Sequence, residues 1–311
     1  MKHIPLHIET PLIESIPILR RTGRSVFLKM ECIQPAASFK IRGIGRLCQH
    51  FVNQGTTHLI SSSGGNAGYA VAYAGRNLGV AVTVIVPKTT PELVRDKIAS
   101  EGATVHVHGS VWDESHAYAL ELCNTVAGAY IPPFDHPTIW EGHATLIDEL
   151  AHQCPKPGAM VLSVGGGGLF CGVVEGLKKH HWHDVPVIAV ETEGAASFAR
   201  SIEAGELVTL DSIDSIATTL GAKRVAAKAL ELADCHPVTP VTVTDEDALR
   251  ACRLFADDHR LLVEPACGAA LSTIYTMHSL LQSQHTLVVI VCGGIGITVE
   301  KLHEWEHAFG H

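Results

Sequence analysis

One lysine of this chain stands where its chemistry would change. In Pro35-Ala36-Ala37-Ser38-Phe39-Lys40-Ile41-Arg42-Gly43, Lys40 is set among small and apolar neighbours just ahead of an amphipathic run. Burial disfavours the ammonium form, so such a lysine has its pKa drawn towards neutrality, and the free amine condenses with an aldehyde as a Schiff base. The stretch alone also fits an ordinary lysine whose stem covers apolar surface while its charge stays in water. Three further stretches bear on the choice: Ser63-Gly64-Gly65-Asn66, Gly165-Gly166-Gly167-Gly168 and Cys292-Gly293-Gly294. Each follows an apolar, strand-like run.

Gly165–Gly168 lies between a strand and a helix, so unobstructed backbone N–H groups and a helix N-terminus favour an anion such as a phosphate there. No Gly-Lys-Ser/Thr follows, which excludes a Walker loop, and G-x-G-x-x-G fails wherever it is started. A plain tight turn is the simpler alternative. Ser63–Asn66 also precedes a helix, so its amides suit a carboxylate, and the Asn66 side chain can donate to an oxygen; an ordinary N-cap would use the same residues. Cys292 closes a strand and is otherwise a core thiol. Glu191, in Val190-Glu191-Thr192-Glu193-Gly194, reads by itself as a solvated strand-end carboxylate. His106-x-His108 and His180-His181-x-His183 lack a Cys or carboxylate at zinc spacing and read as surface histidines.

These residues need elements to carry them. Strands are expected at 25–31, 58–61, 82–86, 104–108, 160–164, 187–191, 238–243, 261–263 and 287–292, and helices at 40–53, 67–78, 112–126, 139–153 and 168–179. Residues 1–34 hold two short strand-like pieces around Ile16-Pro17. Thr90 reads as an N-cap with Pro91 at the first helical position, and Thr244-Asp245-Glu246-Asp247 resembles a capping box. Strands alternating with helices imply parallel β-α-β units in a doubly wound sheet. Pro132-Pro133-Phe134-Asp135-His136-Pro137 is the boundary candidate, since proline restrains itself and the residue before it. The loops at 63–66, 165–168, 191–194 and 292–294 all sit at carboxyl ends of strands, where open α/β sheets bind ligands, so they can converge on one cleft.

At 311 residues the chain exceeds the size at which one core usually keeps growing, which points to two domains or a large domain with a lobe. A formal net charge of −9 without a basic run excludes general nucleic-acid binding. Nine cysteines, scattered and without a C-x-x-C pair, suit a reduced compartment. No run reaches the ~18 apolar residues of a membrane helix. A cytoplasmic protein is the expectation.

The loops above, with Thr10-Pro11-Leu12, Pro132-Pro133-Phe134-Asp135, Glu264-Pro265-Ala266-Cys267-Gly268 and Val291-Cys292-Gly293-Gly294, resemble the pyridoxal-phosphate enzymes of the fold type II (tryptophan synthase β-like) group. Within that group the chain resembles the animal-type L-serine dehydratase/L-threonine deaminase family, in its serine dehydratase-like branch. The resemblance implies an α/β protein of two doubly wound open-sheet domains with pyridoxal 5'-phosphate in the cleft between them. The large domain would be discontinuous, 1–34 plus 136–311, and the small one, 35–135, would carry the Schiff-base lysine and the substrate loop. It also implies roles. Lys40, beside Phe39, would hold the cofactor; Gly165, Gly166, Gly167, Gly168 and Leu169 would take its phosphate; Asn66 would donate to the 3'-hydroxyl; and Cys292 and Gly293 would lie against the pyridine nitrogen. Ser63, Gly64, Gly65, Asn66 and Ala67 would bind the substrate carboxylate, with Phe134 as a pocket wall. Glu191, with main-chain oxygens of Gly165, Ala195, Leu220 and Ala222, would hold a monovalent cation such as potassium.

The implied reaction is β-elimination of L-serine to pyruvate and ammonia and of L-threonine to 2-oxobutanoate and ammonia, in a homodimer of the catabolic type. Two positions depart from the family pattern. Gly64 stands where racemases carry a Ser and dehydratases usually an Ala; it cannot protonate the second face of Cα and could loosen the substrate pocket. Ile295-Gly296 replaces a polar pair. These departures keep open other fold type II chemistries, such as a serine racemase or a β-replacement enzyme, and a low-activity regulatory homologue.

Overall fold

The computed structural model describes residues 4–276 and 286–310. In chain order the elements are β1 (Leu12–Glu14), α1 (Ile16–Thr22), β2 (Val26–Lys29), α2 (Lys40–Asn53), β3 (His58–Ser61), α3 (Asn66–Leu78), β4 (Ala81–Val86), α4 (Glu92–Ser100), β5 (Thr104–Val107), α5 (Trp112–Thr125) and β6 (Ala129–Tyr130). There follow α6 (Pro137–Gln153), β7 (Ala159–Ser163), α7 (Gly168–Lys179), β8 (Val187–Thr192), α8 (Ser197–Ala204), α9 (Ala227–Ala233), β9 (Val238–Val243), α10 (Asp245–His259), α11 (Pro265–Tyr275), β10 (Leu287–Ile290) and α12 (Val299–Ala308). The strands form two sheets, ordered β1-β2-β10-β7-β8-β9 and β5-β4-β3-β6. Every pairing is parallel except that of β1 with β2. This is why β7, β8 and β10 are apolar and buried along their whole lengths: helices cover both faces of a parallel sheet. Pro240 is tolerated in β9 because β9 is an edge strand.

Three local expectations are corrected. Ile16-Pro17 opens α1 and does not separate two strands: Ser15 caps it by accepting from the Ile18 amide, and Gly23 ends it in the left-handed conformation. Leu261–Val263 is no strand but the extended link between α10 and α11, without a ladder partner. Thr90 does not cap α4, whose N-cap is Pro91 and carries no side-chain cap bond; the Thr90 side chain lies instead against Gly64. Thr244 does cap α10, accepting from the Asp247 amide at 3.0 Å.

The element that matters most for the site is α2, because Lys40 is its first residue. Two features fix it. The helix crosses α6 with the backbones in contact, since a Cβ on Gly43 would lie 2.6 Å from the Ile139 carbonyl and one on Gly142 would lie 2.6 Å from the Gly43 Cα. Next to this crossing, Arg42 is wholly buried. Its guanidinium donates to both oxygens of Glu31 at 2.7 Å and to Glu149 at 2.6 and 2.7 Å. Lys29 completes the cluster on Glu149 at 2.5 Å, and also donates to the Thr10 carbonyl at 2.7 Å. Burial opposes the charge on Arg42, but Glu31 and Glu149 outweigh it and keep the guanidinium protonated. The cluster joins the N-terminal segment, β2, α2 and α6 with two positive and two negative side chains.

Breaking such a set by removing one member leaves an uncompensated buried charge. Arg42→Met is therefore expected to cost about 3–5 kcal/mol of stability, read as a lower urea midpoint. A change under about 0.5 kcal/mol would contradict the role given to the cluster.

Candidate active site

Lys40 is brought to the end of β10 by the chain just before it. Phe39 N donates to the Cys292 carbonyl at 3.1 Å, Gly294 N donates to the Ala37 carbonyl at 2.9 Å, and Ser38 bridges antiparallel to Gly293. Gly293 takes a φ of +83°, and a Cβ there would overlap the Ala37 carbonyl, so this pairing requires glycine. The amine of Lys40 donates to the Pro133 carbonyl at 2.7 Å and lies 5.3 Å from the centre of the Phe39 ring. Burial lowers Lys40 from its ordinary value to about 8, with Cys292 and Glu264 pulling the other way. The Cys292 thiol is itself held well above its ordinary value by contact with Cys267 and by burial, so it is uncharged near neutral pH. Glu264 is thus the anionic neighbour that Lys40 feels.

Two amide-lined turns face this region. β7 runs into Gly165–Gly167, with Gly167 left-handed at φ +87°, and then into α7. Among the described residues, the amides of Gly166, Gly167, Gly168, Leu169 and Phe170 donate to no protein acceptor, although all but Gly166 belong to buried residues. Buried amides without partners at a helix start are an anion site in waiting. Phe134 closes it from outside: a Cβ at Gly166 would overlap the Phe134 ring, and one at Gly168 would lie 2.7 Å from the Phe134 carbonyl. The second turn, Ser63-Gly64-Gly65, leads from β3 into α3, and the amides of Gly64, Gly65, Asn66 and Ala67 likewise donate to no protein group.

Asn66 is more constrained than the sequence suggests. Its Oδ1 accepts from the Ile295 amide at 2.9 Å and its Nδ2 donates to Glu264 at 2.6 Å, which leaves one N–H of Nδ2 for another acceptor. The space beside Gly64 is filled rather than loose, because a Cβ there would lie 2.6 Å from Thr90 Oγ1 and 3.2 Å from Val86 Cγ1. Sequence reasoning assigned no function to Glu264, Thr219, Thr90, Lys97 or the Pro133 carbonyl. Lys97 of α4 donates to the Ile295 carbonyl at 2.8 Å, tying the two sheets together beside the site.

The expected cation ligands are only partly assembled. Gly165 packs on Leu220, with a Cβ position 3.2 Å from the Leu220 carbonyl, and that carbonyl already accepts from the Ala222 amide at 2.7 Å. Ala195 lies in the short turn Glu193–Ala195. The Glu191 carboxylate accepts from the amides of Phe198 and Ala199 at 2.9 and 2.7 Å, at the start of α8, and no hydrogen bond joins it to the Gly165 group. Burial lifts it to about 7, and the Ser197 hydroxyl close by in sequence is buried without a partner. A fully buried carboxylate without a basic partner fits the neighbourhood of a cation.

The donors present fit a phosphate-bearing aldehyde. The unpartnered amides of Gly166–Leu169 suit the phosphate, the depressed amine of Lys40 suits the aldehyde, and the neutral Cys292 thiol at the end of β10 suits an uncharged ring nitrogen.

Comparison with known proteins gives a consistent picture. A family model described as "Pyridoxal-phosphate dependent enzyme" matches residues 4–293. The L-serine dehydratase/L-threonine deaminase of Homo sapiens is 48% identical, covering 98% of this chain and 96% of its own. The serine dehydratase-like protein of Homo sapiens is 49% identical, covering 97% and 94%. Among solved structures, a fungal L-serine ammonia-lyase from Rhizomucor miehei matches with a TM-score of 0.92 at 42% identity, over 97% of this chain and 98% of that one.

The lowered pKa of Lys40 has a signed consequence. A depressed value means that the proton leaves at lower pH, so in cofactor-free protein the amine is about half free at pH 8, where an ordinary lysine is under ~1% free. Acetylation of the Lys40 peptide, followed by mass spectrometry, should therefore rise through a midpoint near pH 8. A midpoint at or above that of the surface lysines would contradict the assignment.

Proposed function

The chain belongs to the pyridoxal-phosphate dependent enzyme family, and from that premise we propose that it is an L-serine/L-threonine ammonia-lyase, releasing pyruvate from L-serine, 2-oxobutanoate from L-threonine, and ammonia from both. The observation that carries the reading is the meeting of a depressed amine, Lys40, with a carboxylate-ready turn at Ser63–Ala67 and a phosphate-ready turn at Gly165–Leu169. Pyridoxal phosphate, when bound, supplies an aldehyde for amines and a ring that withdraws electrons and so acidifies the Cα–H of an attached amino acid. The residues do the rest. Amides of Gly64–Ala67 and the Ser63 turn hold and orient the amino-acid carboxylate. Asn66, Phe39, Cys292 and Gly293 hold the cofactor ring, and Gly165–Leu169 its phosphate. The Lys40 amine, once free, takes the Cα proton as general base, at a pKa close enough to neutral for it to accept and return protons readily. The β-hydroxyl then leaves, and water replaces the nitrogen to give the 2-oxo acid and ammonia. The neutral Cys292 thiol offers no charge to hold a proton on the ring, which favours elimination over a long-lived carbanion.

We further propose that 35–135 acts as a small domain closing on a large one formed by 1–34 and 136–311. The protein works as a cytoplasmic homodimer with a potassium-class ion near Glu191. All nine cysteines are free, and no helix among the described residues is long and apolar enough to cross a membrane. Exposed Ile13 and Ile16, at the β1 edge of the larger sheet, offer apolar surface for the dimer.

Purified protein supplied with pyridoxal phosphate should release 2-oxo acid from both L-serine and L-threonine, and Lys40→Ala should reduce the rate by at least ~10²–10⁴-fold. Bound cofactor with no oxo acid from either amino acid would defeat the ammonia-lyase reading.

A further inference from the structure

Glu264 precedes Pro265 at the start of α11, yet its side chain makes no cap bond to that helix. It turns inward, where the residue is 3% exposed. Its Oε1 accepts from Asn66 Nδ2 at 2.6 Å and from Thr219 Oγ1 at 2.5 Å, and its Oε2 accepts from the Gly296 amide at 3.1 Å. All three partners are donors, the set that an ionised carboxylate requires and a protonated one does not. No lysine or arginine side chain hydrogen-bonds to it among the described residues. Burial pushes its pKa up while the donors and Lys40 pull it back. A carboxylate buried without a basic partner is costly, so a use for it is to be sought in what it holds.

What it holds is the orientation of Asn66. With Oδ1 on the Ile295 amide and Nδ2 on the Glu264 carboxylate, a flipped amide would set donor against donor at one end and acceptor against acceptor at the other. The same carboxylate fixes the Gly294–Gly296 turn, since Glu264 occupies the space a Cβ on Gly294 would need. It also anchors Thr219, whose methyl lies 3.5 Å from the Cβ position of Gly65. Three segments around the cofactor region, drawn from both sheets, therefore share one acceptor.

We propose that Glu264 is a positioning residue: it locks the Asn66 amide and the turn after Cys292 in the one arrangement that presents an N–H of Nδ2 to the cofactor. This deepens the pyridoxal-phosphate reading above and rests on it. It also accounts for the missing polar pair at Ile295-Gly296, because backbone amides of these two residues make the contacts.

The test is Glu264→Gln, which keeps shape but puts an NH₂ against either the Gly296 amide or the Asn66–Thr219 pair. Loss of one charge-assisted bond predicts cofactor affinity weakened on the order of 10-fold, measured by titrating cofactor-free protein. The visible absorbance band of bound cofactor should also shift, and amide exchange of 292–298 should quicken. A merely structural role would lower the melting temperature and leave the band in place. Unchanged affinity and band in a folded Glu264→Gln protein would overturn the proposal. If that variant does not fold, Thr219→Val, which removes one donor and keeps the carboxylate, should weaken affinity several-fold with the same band shift, and no change would again overturn it. Wild-type protein that binds no pyridoxal phosphate would defeat the underlying reading instead, which separates the two failures.

Discussion

A guanidinium cut off from water organises the catalytic half of this molecule. Arg42 lies two residues after Lys40 on the first turn of α2, and its donors are taken up by Glu31, Glu149, Thr145 and Thr10. Lys29 brings the cluster to charge balance. A balanced, hydrogen-bonded group of this kind tolerates little rotation or sliding, because any movement strands a charge in a medium that cannot solvate it. The helix start is thereby fixed relative to β2 and α6. The pairing of Ala37 and Phe39 with the turn after β10 then has one register open to it, and Lys40 emerges beside Cys292.

From that fixed point the site follows from the geometry of parallel sheets. Both sheets direct the ends of their strands to the same region, and each delivers a glycine-rich turn with idle amides ahead of a helix. Lys40 stands between an anion-ready turn from each sheet, which is the arrangement needed to hold a phosphate and a carboxylate on one small molecule. Its amine is desolvated enough to lose its proton near pH 8 but is kept from falling further by the Glu264 charge. Contacts across the sheets, Asn66 to Glu264 and Lys97 to the Ile295 carbonyl, close the region and make the two halves depend on each other.

Much of this was legible in the residues. Apolar runs with glycine turns at their ends announced β3, β7 and β10, and Lys40 was conspicuous by its neighbours. What escaped was long-range or masked by an adequate local explanation. Glu264 before a proline looks like a helix-start residue, and its partners Asn66 and Gly296 are 198 and 32 positions away. Arg42 and Glu149, 107 apart, have no local pattern that marks them as a buried pair. Thr90 was read as a cap because Thr-Pro commonly is one; packing against Gly64 won instead, and it filled the space that glycine seemed to leave empty. Leu261–Val263 had the composition of a strand but no neighbour to pair with, which apolar character cannot reveal. The Ser15 and Gly23 signals of α1 were present in the sequence and were outweighed by the proline between them.

The central claim is that the fold places one amine, Lys40, to bond the cofactor. Its most direct test is to incubate the protein with pyridoxal phosphate, reduce the linkage with borohydride, digest, and locate the added mass by sequencing mass spectrometry. The account predicts one modified site, on the peptide containing Lys40, at near-stoichiometric yield. Label spread over exposed lysines such as Lys156 and Lys179, or concentrated on any lysine other than Lys40, would contradict it.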